Sequence, residues 1–372
     1  MSTPYEPFRD HFGDPDDVNP SDVDPDDVDL RRAAALGEAG RWEQALQSAH
    51  AVLGRSPHHA EALRWASVAE LSLARPVRAL QAAQASVAVE PHAEHGHRLV
   101  SVALLQMRRP VEAVEAARAA VRCAPHEPYA VSQLATALAV RRRTRRAAVA
   151  VAKQAVALGP GMAEPLFALG LVHQQRGNFR PARRAYEAAL AIEPDHSEAL
   201  NNLGAIALNS ARLGRGAQLL GDSLAVDPHS DVARHNVDVL ALGLSRRVWL
   251  TGWAALLAMS IVTGVQTRTG TPIPLRALVL LAAVLVLALI LKMTWRSVPP
   301  ALRIAVRQRL LTQPLLIASW VFAALLWAGC VVLLLLPRGT LSLEETFQLA
   351  RVIVVANVVF SLLLRRKRPG NR

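Results

Sequence analysis

Residues 163–196 read AEPLFALGLVHQQRGNFRPARRAYEAALAIEPDH, and this stretch decides the fold of most of the chain. Apolar residues recur with helical spacing on both sides of a short turn that contains Gly177. Pro181 lies where the second helix is expected to open, and Pro194 where it is expected to close. Small residues stand where the two helices would pack closely, at Gly170, Ala182 and Ala189. The stretch therefore predicts a helical hairpin that cannot bury its apolar faces alone.

The same landmarks recur along the chain at a nearly constant spacing. A closing proline returns in steps of 34, 34, 35, 34 and 34 residues, at Pro57, Pro91, Pro125, Pro160, Pro194 and Pro228. Twelve residues before each proline stands a small residue, namely Ala45, Ala79, Ala113, Ala148, Ala182 and Gly216. Two landmarks that keep one register through six units predict a stack of six repeats, each covering the apolar face of its neighbour.

This 34-residue unit resembles the tetratricopeptide repeat (TPR), and the resemblance covers about residues 26–230. It implies an all-α fold, a TPR-type superhelix of helical hairpins whose first helices line a groove for a peptide or partner helix. Residues 231–244 are expected to add a cap helix, which completes a repeat domain over residues 26–244. The fourth repeat, residues 129–162, departs most from the pattern, because its first helix uses small residues and its turn is RRRTRR.

The resemblance also assigns candidate residues to the groove. Carried over to this sequence, the groove positions give six partner-binding candidates: Arg64, Arg98, Gln133, Phe167, Gln174 and Asn201. Some TPR domains clamp a terminal carboxylate with a paired Lys and Asn. That pairing is absent here, where the ninth positions of the repeats are Ala34, Val68, Val102, Ala137, Leu171 and Ala205. For any one candidate, the alternative is a solvated face without a partner.

The turn of the fourth repeat forms an electrostatic patch, made by Arg141, Arg142, Arg143, Arg145 and Arg146. Three interpretations are open. The patch is a solvated turn, it binds an acidic partner or anionic lipid, or it holds the acidic N-terminal segment of the same chain. Salt should weaken either kind of contact, because exposed charges are screened over about 10 Å at an ionic strength of roughly 0.1 M.

The net charge of +12 conceals three blocks of different sign. Residues 1–29 sum to −9, residues 30–247 to +9 and residues 248–372 to +12. Residues 1–25 are rich in Asp and Pro, lack apolar periodicity and are predicted to be a disordered acidic tail. They lack the hydrophobic core of a signal peptide, and also the Gly and terminal Glu of a calcium-binding loop.

After Gly243 the composition becomes strongly apolar. Four stretches, about residues 248–265, 275–295, 315–336 and 346–364, are each long enough to cross a hydrocarbon core of roughly 30 Å as a helix. They predict a four-helix transmembrane domain with a basic C-terminal tail over residues 245–372. Buried core helices of a soluble domain are the alternative, but the region has too little polar sequence to cover four such helices.

Basic residues set the predicted orientation in the membrane. The flank before the first stretch, the loop after the second and the C-terminal tail hold 12 Lys or Arg, and the opposite side holds 4. Both termini and the repeats are therefore expected in the cytoplasm. The wealth of Ala, Arg and Val resembles bacterial proteins from GC-rich genomes, which implies a multi-pass protein of the inner or plasma membrane. Residues 301–311 could lie on the cytoplasmic leaflet.

No catalytic constellation is evident, so we expect no enzyme activity and no cofactor. His92, His95 and His97 cluster with Glu94, but a metal site there lacks a second ligand cluster and surface histidines are the preferred interpretation. The two cysteines, Cys123 and Cys330, lie in different regions and predict neither a disulfide framework nor a zinc site.

The sequence thus predicts a membrane-anchored scaffold or adaptor, whose TPR groove binds a protein or peptide and recruits it to the membrane. The alternative is a subunit or regulator of a small membrane transporter or envelope enzyme, with the repeats as its regulatory domain. A transport path usually needs intramembrane ionisable residues, and here only the polar Asn357 lies near the centre of a predicted span. No nucleic acid is expected, because the repeats lack aromatic stacking platforms. The oligomeric state stays open.

Overall fold

A computed structural model describes residues 24–210, 212–226, 231–269, 274–296, 298–312, 314–335 and Gln348. Twelve helices form six consecutive hairpins: α1 (Pro25–Glu38) with α2 (Trp42–Arg55), α3 (Ala60–Ser72) with α4 (Pro76–Val89), α5 (Glu94–Gln106) with α6 (Pro110–Cys123), α7 (Pro128–Val140) with α8 (Arg145–Leu158), α9 (Ala163–Gln175) with α10 (Phe179–Ile192), and α11 (Ser197–Asn209) with α12 (Leu213–Val226). The described part of the chain contains no strand. The predicted all-α repeat architecture is therefore confirmed, while residues 1–23, most of the predicted acidic tail, lie outside the described residues.

Proline marks the ends of these helices as the sequence predicts, with one exception. Pro76 and Pro110 open α4 and α6, where the first-turn amide has no intrahelical acceptor. Pro181, however, is the third residue of α10, which begins at Phe179. The prediction was wrong by two residues because an amide-free residue is tolerated anywhere in the first turn.

The interior of the stack is made of small residues and a few large ones. The small landmarks Ala79, Ala113, Ala148 and Ala182 are completely buried. In the fifth repeat, Tyr186 is also fully buried and lies against Gly170, where an added Cβ would come within 2.5 Å of the tyrosine ring. Close helix packing at this point therefore depends on glycine, because any larger side chain overlaps the ring.

The chain divides into two compact units, and the second comprises residues 204–221 and the described residues from 231 onward. The second unit contains the long helix α13 (Asp231–Thr269), then α14 (Pro274–Arg296), α15 (Pro300–Thr312) and α16 (Pro314–Leu335). The predicted cap helix and the predicted first span are one helix, α13, which corrects the sequence prediction. No glycine or proline interrupts residues 244–251, and the Ser245 hydroxyl donates a hydrogen bond of 3.0 Å to the Ala241 carbonyl within the helix.

The predicted spans 275–295 and 315–336 coincide with α14 and α16 within one residue at each end. Crossing a membrane takes about 20 consecutive, predominantly apolar residues. Within the residues that the structure describes, no helix is both long and apolar enough to cross a membrane. The predicted four-helix transmembrane domain is therefore not supported. Its fourth stretch, 346–364, lies outside the described residues apart from Gln348.

Candidate partner-binding groove

The first helices of successive repeats, α3, α5, α7 and α9, pack side by side. Residues at the fifth position of each helix fall one repeat apart and so form a row across the stack. This row contains five of the six predicted groove residues, namely Arg64, Arg98, Gln133, Phe167 and Asn201, and Gln174 lies further along α9. The structure therefore places Arg64, Arg98, Gln133, Phe167 and Gln174 on a shared layer of helices.

The N-terminal part of the row is ionic. Arg64 on α3 donates from Nη1 to Glu90 Oε2 at 2.5 Å. Arg98 on α5 is buried and donates from Nε to Glu94 Oε2 at 3.4 Å. Its guanidinium carbon also lies 5.6 Å from the centre of the Tyr129 ring, within the range of a cation–π contact. Both arginines are thus partly paired inside the protein.

Three polar atoms at this part of the row are buried without a hydrogen-bond partner in the described chain. They are Oε1 of Glu61, Nε of Arg64 and Nη2 of Arg98. A buried donor or acceptor that is left unpaired costs roughly 1–3 kcal/mol. Two donors and one acceptor on adjacent helices are therefore left unsatisfied inside this part of the row.

The middle of the row is held by an uncharged contact between repeats. Gln133 Nε2 donates to Ser101 Oγ at 2.9 Å, which ties α7 to α5. Because Gln133 is only half-buried, its remaining polar atoms stand at the surface of the row.

The C-terminal part of the row is aromatic. Phe167 is buried, with its ring centre 5.7 Å from that of Tyr186 and 4.8 Å from that of His196. The Tyr186 hydroxyl donates to Gln174 Oε1 at 2.8 Å. Asn201 is also buried. These predicted groove residues therefore pack between helices, and their contact with a partner stays a prediction.

His196 is a residue that the sequence analysis missed. It is buried between two carboxylates, with Nε2 at 3.9 Å from Glu164 and Nδ1 at 3.3 Å from Glu198. Burial by itself lowers the pKa of His196, but the two carboxylates outweigh it and raise the pKa to about 10. The imidazolium thus links neighbouring repeats. The sequence did contain a sign of this ion pairing, since Glu164 and Glu198 hold the same position in successive repeats.

The electrostatic patch is divided between exposed and half-buried arginines. Arg142, Arg143 and Arg146 are exposed, and the described chain gives none of them an acidic partner. Arg145 is half-buried and donates from Nε to the Ala139 carbonyl at 3.0 Å. The turn itself is closed by the Thr144 hydroxyl, which donates to the Leu138 carbonyl at 2.6 Å. Arg145 therefore has a local structural role.

The predicted histidine cluster does not assemble into a metal centre in the described part of the chain. His95 Nδ1 lies 3.3 Å from Glu94 Oε1. Among the described residues, no three His, Cys, Asp or Glu side chains converge as metal ligands would.

Consecutive helical hairpins with a polar row on their first helices define the class of helical-repeat proteins. Residues 163–196 and residues 30–95 each match the tetratricopeptide repeat family. The chain therefore contains tetratricopeptide repeats. No functionally curated protein shows significant similarity to it.

Several solved structures resemble the chain. TTC0263, a thermophilic TPR protein of Thermus thermophilus, shares 25% identity over 49% of this chain and 99% of its own, with a TM-score of 0.45. YrrB, described as a TPR protein with an unusual peptide-binding site, shares 19% over 46% of this chain and 88% of its own, with a TM-score of 0.33. The Pseudomonas aeruginosa protein pilF shares 15% over 57% of this chain and 96% of its own, with a TM-score of 0.39.

Proposed function

We propose that the protein is a non-catalytic scaffold or adaptor that binds a protein or peptide partner along the row of first helices. The observation that carries this proposal is the row of polar side chains on the packed first helices, where Glu61, Arg64 and Gln133 are only half-buried. Tetratricopeptide repeats support protein–protein interaction, and these half-buried side chains indicate where on this array a partner would make hydrogen bonds.

A peptide main chain fits these side chains by chemistry. Each peptide unit supplies one N–H donor and one C=O acceptor. The side chains of Arg64 and Gln133 would donate to main-chain carbonyls, and the Glu61 carboxylate would accept from a main-chain amide. Because Glu90 and Glu94 already offset the charges of the two arginines of the row, this part of the row favours neutral amides over a strongly acidic ligand.

The second part of the proposal is attachment to the inner or plasma membrane through the apolar helices of the second unit, with the repeats on the cytoplasmic side. On α14, large apolar side chains are more than half exposed: Leu278, Leu281, Leu285, Leu289 and Met293. Exposing a Leu or Met side chain to water costs roughly 1.5–3 kcal/mol relative to burying it. An apolar surrounding supplied by lipid would remove this cost, and the partner in the groove would then be recruited to the membrane.

A site-specific photocrosslinker tests the groove. We expect a crosslinker at position 64 to capture a discrete partner in cells, and a matched crosslinker at Arg118, an exposed residue of α6, not to capture it. The captured protein is then purified and its Kd measured against Arg64→Ala with Gln133→Ala. Loss of two hydrogen bonds, one of them to a charged group, should weaken binding by at least about tenfold. Equal capture at both positions, or an unchanged Kd, would contradict the groove.

Membrane attachment is tested by fractionation of cells after an alkaline wash. The intact chain is expected in the membrane pellet. Replacing Leu281, Leu285 and Leu289 with lysine should release it, because charge in the hydrocarbon core costs roughly 2.5–3.5 kcal/mol per residue. The matched control replaces the exposed Val77, Val111 and Phe179 of the repeats with lysine and should leave the protein in the pellet. An intact chain that stays monodisperse in the wash without detergent would refute attachment.

A further inference from the structure

One edge of the repeat stack is strongly basic, and it is separate from the groove. Residues 128–186 contain nine Arg and one Lys, whereas Glu164 is their single acidic residue. The arginines gather where the first helix of each hairpin turns into the second. Since every first helix ends at the same side of the stack, these turns form one continuous edge.

We call this surface the basic edge and define it by its exposed arginines in the third, fourth and fifth repeats: Arg108, Arg109, Arg142, Arg143, Arg146, Arg176, Arg180 and Arg184. In the second and third repeats such arginines have acidic neighbours. Arg75 lies 3.7 Å from Glu70, and Arg109 lies 2.5 Å from Glu112. In the fourth and fifth repeats, six exposed arginines have no acidic partner within the described chain, namely Arg142, Arg143, Arg146, Arg176, Arg180 and Arg184.

Six unpaired positive charges on one edge create a local positive potential that attracts an acidic ligand. Apolar side chains interrupt the charge, since Val140 and Phe179 are 43% and 48% exposed beside these arginines. The edge therefore fits a ligand in which carboxylates alternate with aromatic or apolar residues.

The chain carries such a ligand at its own N-terminus. Residues 1–23 contain six acidic residues and one arginine, together with Tyr5, Phe8 and Phe12. We propose that residues 5–12 dock on the basic edge, with the carboxylates of Glu6 and Asp10 against its unpaired arginines and with the aromatic rings of Tyr5, Phe8 and Phe12 against Val140 and Phe179. This inference concerns the basic edge and does not depend on the groove or on membrane attachment.

The length of the tail permits this contact. From Asp24, where the described chain begins, the 12 residues to Phe12 reach roughly 40 Å when extended, and the 18 residues to Glu6 reach roughly 60 Å. The fourth repeat lies three repeats away, which is about 30 Å at roughly 10 Å per helix layer. The length of a 13-residue helix adds about 20 Å across the stack. The covalent link gives the tail an effective concentration in the millimolar range, so even a weak ionic contact forms within one molecule.

Zero-length crosslinking of the intact chain tests the proposal. Arg142→Lys, Arg143→Lys and Arg146→Lys together keep the charge and add amines that a carbodiimide couples to carboxylates, the reagent taking up the released water. We expect amide crosslinks from Glu6 and Asp10 to these lysines, within one molecule and independent of protein concentration. They should disappear at about 1 M salt, where screening acts over roughly 3 Å.

The matched control carries Arg118→Lys and Arg122→Lys, which place amines on exposed residues of α6 away from the basic edge. It is expected to give few tail crosslinks. No crosslinks to the basic edge, equal yields in both variants, or crosslinks only between molecules would overturn the proposal.

A second measurement separates the tail from other acidic occupants. Vesicles with anionic lipid and a short RNA serve as probes, with Glu6→Gln and Asp10→Asn weakening the tail. If the tail covers the edge, these substitutions should raise the low-salt affinity for either probe several-fold, and Arg142→Gln with Arg143→Gln should remove the gain. If neutralising the tail does not change the affinity for a probe, the tail does not occupy the basic edge, and the proposal is wrong.

Discussion

The fourth and fifth repeats have the same helical hairpin but different interiors and turns. In the fifth repeat, Tyr186 fills the space between α9 and α10 against Gly170. In the fourth, Ala152 holds the position of Tyr186, and the interior is built from small residues such as Ala135, Ala139 and Ala148. The fifth repeat turns through Gly177 at a φ of 78°, whereas the fourth closes its turn with the Thr144 hydroxyl.

The buried residues and the exposed charges of these repeats have different roles. Tyr186, Phe167 and His196 of the fifth repeat are buried and pack inside the stack. Arg142, Arg143 and Arg146 of the fourth repeat make no ion pair in the described chain. The fifth repeat thus adds large aromatic residues to its interior, while both repeats keep exposed arginines at their turns available to a ligand.

The largest effect is expected from Tyr186→Ala. Removing a fully buried ring from the fifth repeat should lower the free energy of unfolding by about 3–5 kcal/mol. Tyr186→Phe is the control, because it loses only the hydrogen bond to Gln174, worth about 1 kcal/mol. Urea denaturation combined with hydrogen exchange in α9 and α10 measures both. A loss below about 1 kcal/mol for Tyr186→Ala would show that the two repeats do not differ in this way.

The next effect concerns pH and His196. The pKa of His196 is raised from 6.5 to about 10. The ion pairs of His196 therefore stabilise the folded state fully below pH 6.5, and this contribution is lost as pH rises toward 10. His196→Gln should remove a pH dependence on the order of a few kcal/mol between these limits. His59→Gln is the control, since His59 holds the same position before α3 and accepts from the Ala62 amide. Unfolding curves for His196→Gln parallel to the wild type across this range would contradict the ionic link.

A smaller effect is expected at the turn of the fourth repeat. Thr144→Val keeps the shape of the side chain but removes its hydrogen bond to the Leu138 carbonyl, which should cost about 1 kcal/mol. Thr136→Val on α7 serves as the control and should cost less. If the two substitutions have the same effect on the urea midpoint, the hydroxyl does not close the turn.

The smallest effect on stability is expected for Arg142→Gln, Arg143→Gln and Arg146→Gln together. Because these side chains are exposed and unpaired, each substitution should change the free energy of unfolding by less than about 0.5 kcal/mol. Arg145→Gln, which loses a hydrogen bond to the Ala139 carbonyl, should cost more than any one of them. A large loss from the triple substitution would mean that these arginines support the fold and are not reserved for a ligand.

Much of the fold could be predicted from the sequence, because repeat landmarks are local and recur. The closing prolines predict the ends of the second helices, and α2, α4, α6, α8 and α10 each end two residues before one of them. The continuity of α13 could not be read from composition, because a change from polar to apolar sequence does not interrupt backbone hydrogen bonds. The sequence could also predict that the groove candidates share a row. It could not predict that Arg98, Phe167 and Asn201 are buried, because their burial depends on side chains from neighbouring helices.

The sequence by itself determined the repeat, its register and the arginine-rich turn, since helix signals and charge are properties of short segments. Only the tertiary structure decided which charges are paired. It brings His196 between Glu164 and Glu198, and Arg64 to Glu90, whereas it leaves Arg142, Arg143 and Arg146 without acidic neighbours in the described chain. The physical reason is that ion pairing falls off within a few ångströms, and such distances between residues of different repeats are set by packing.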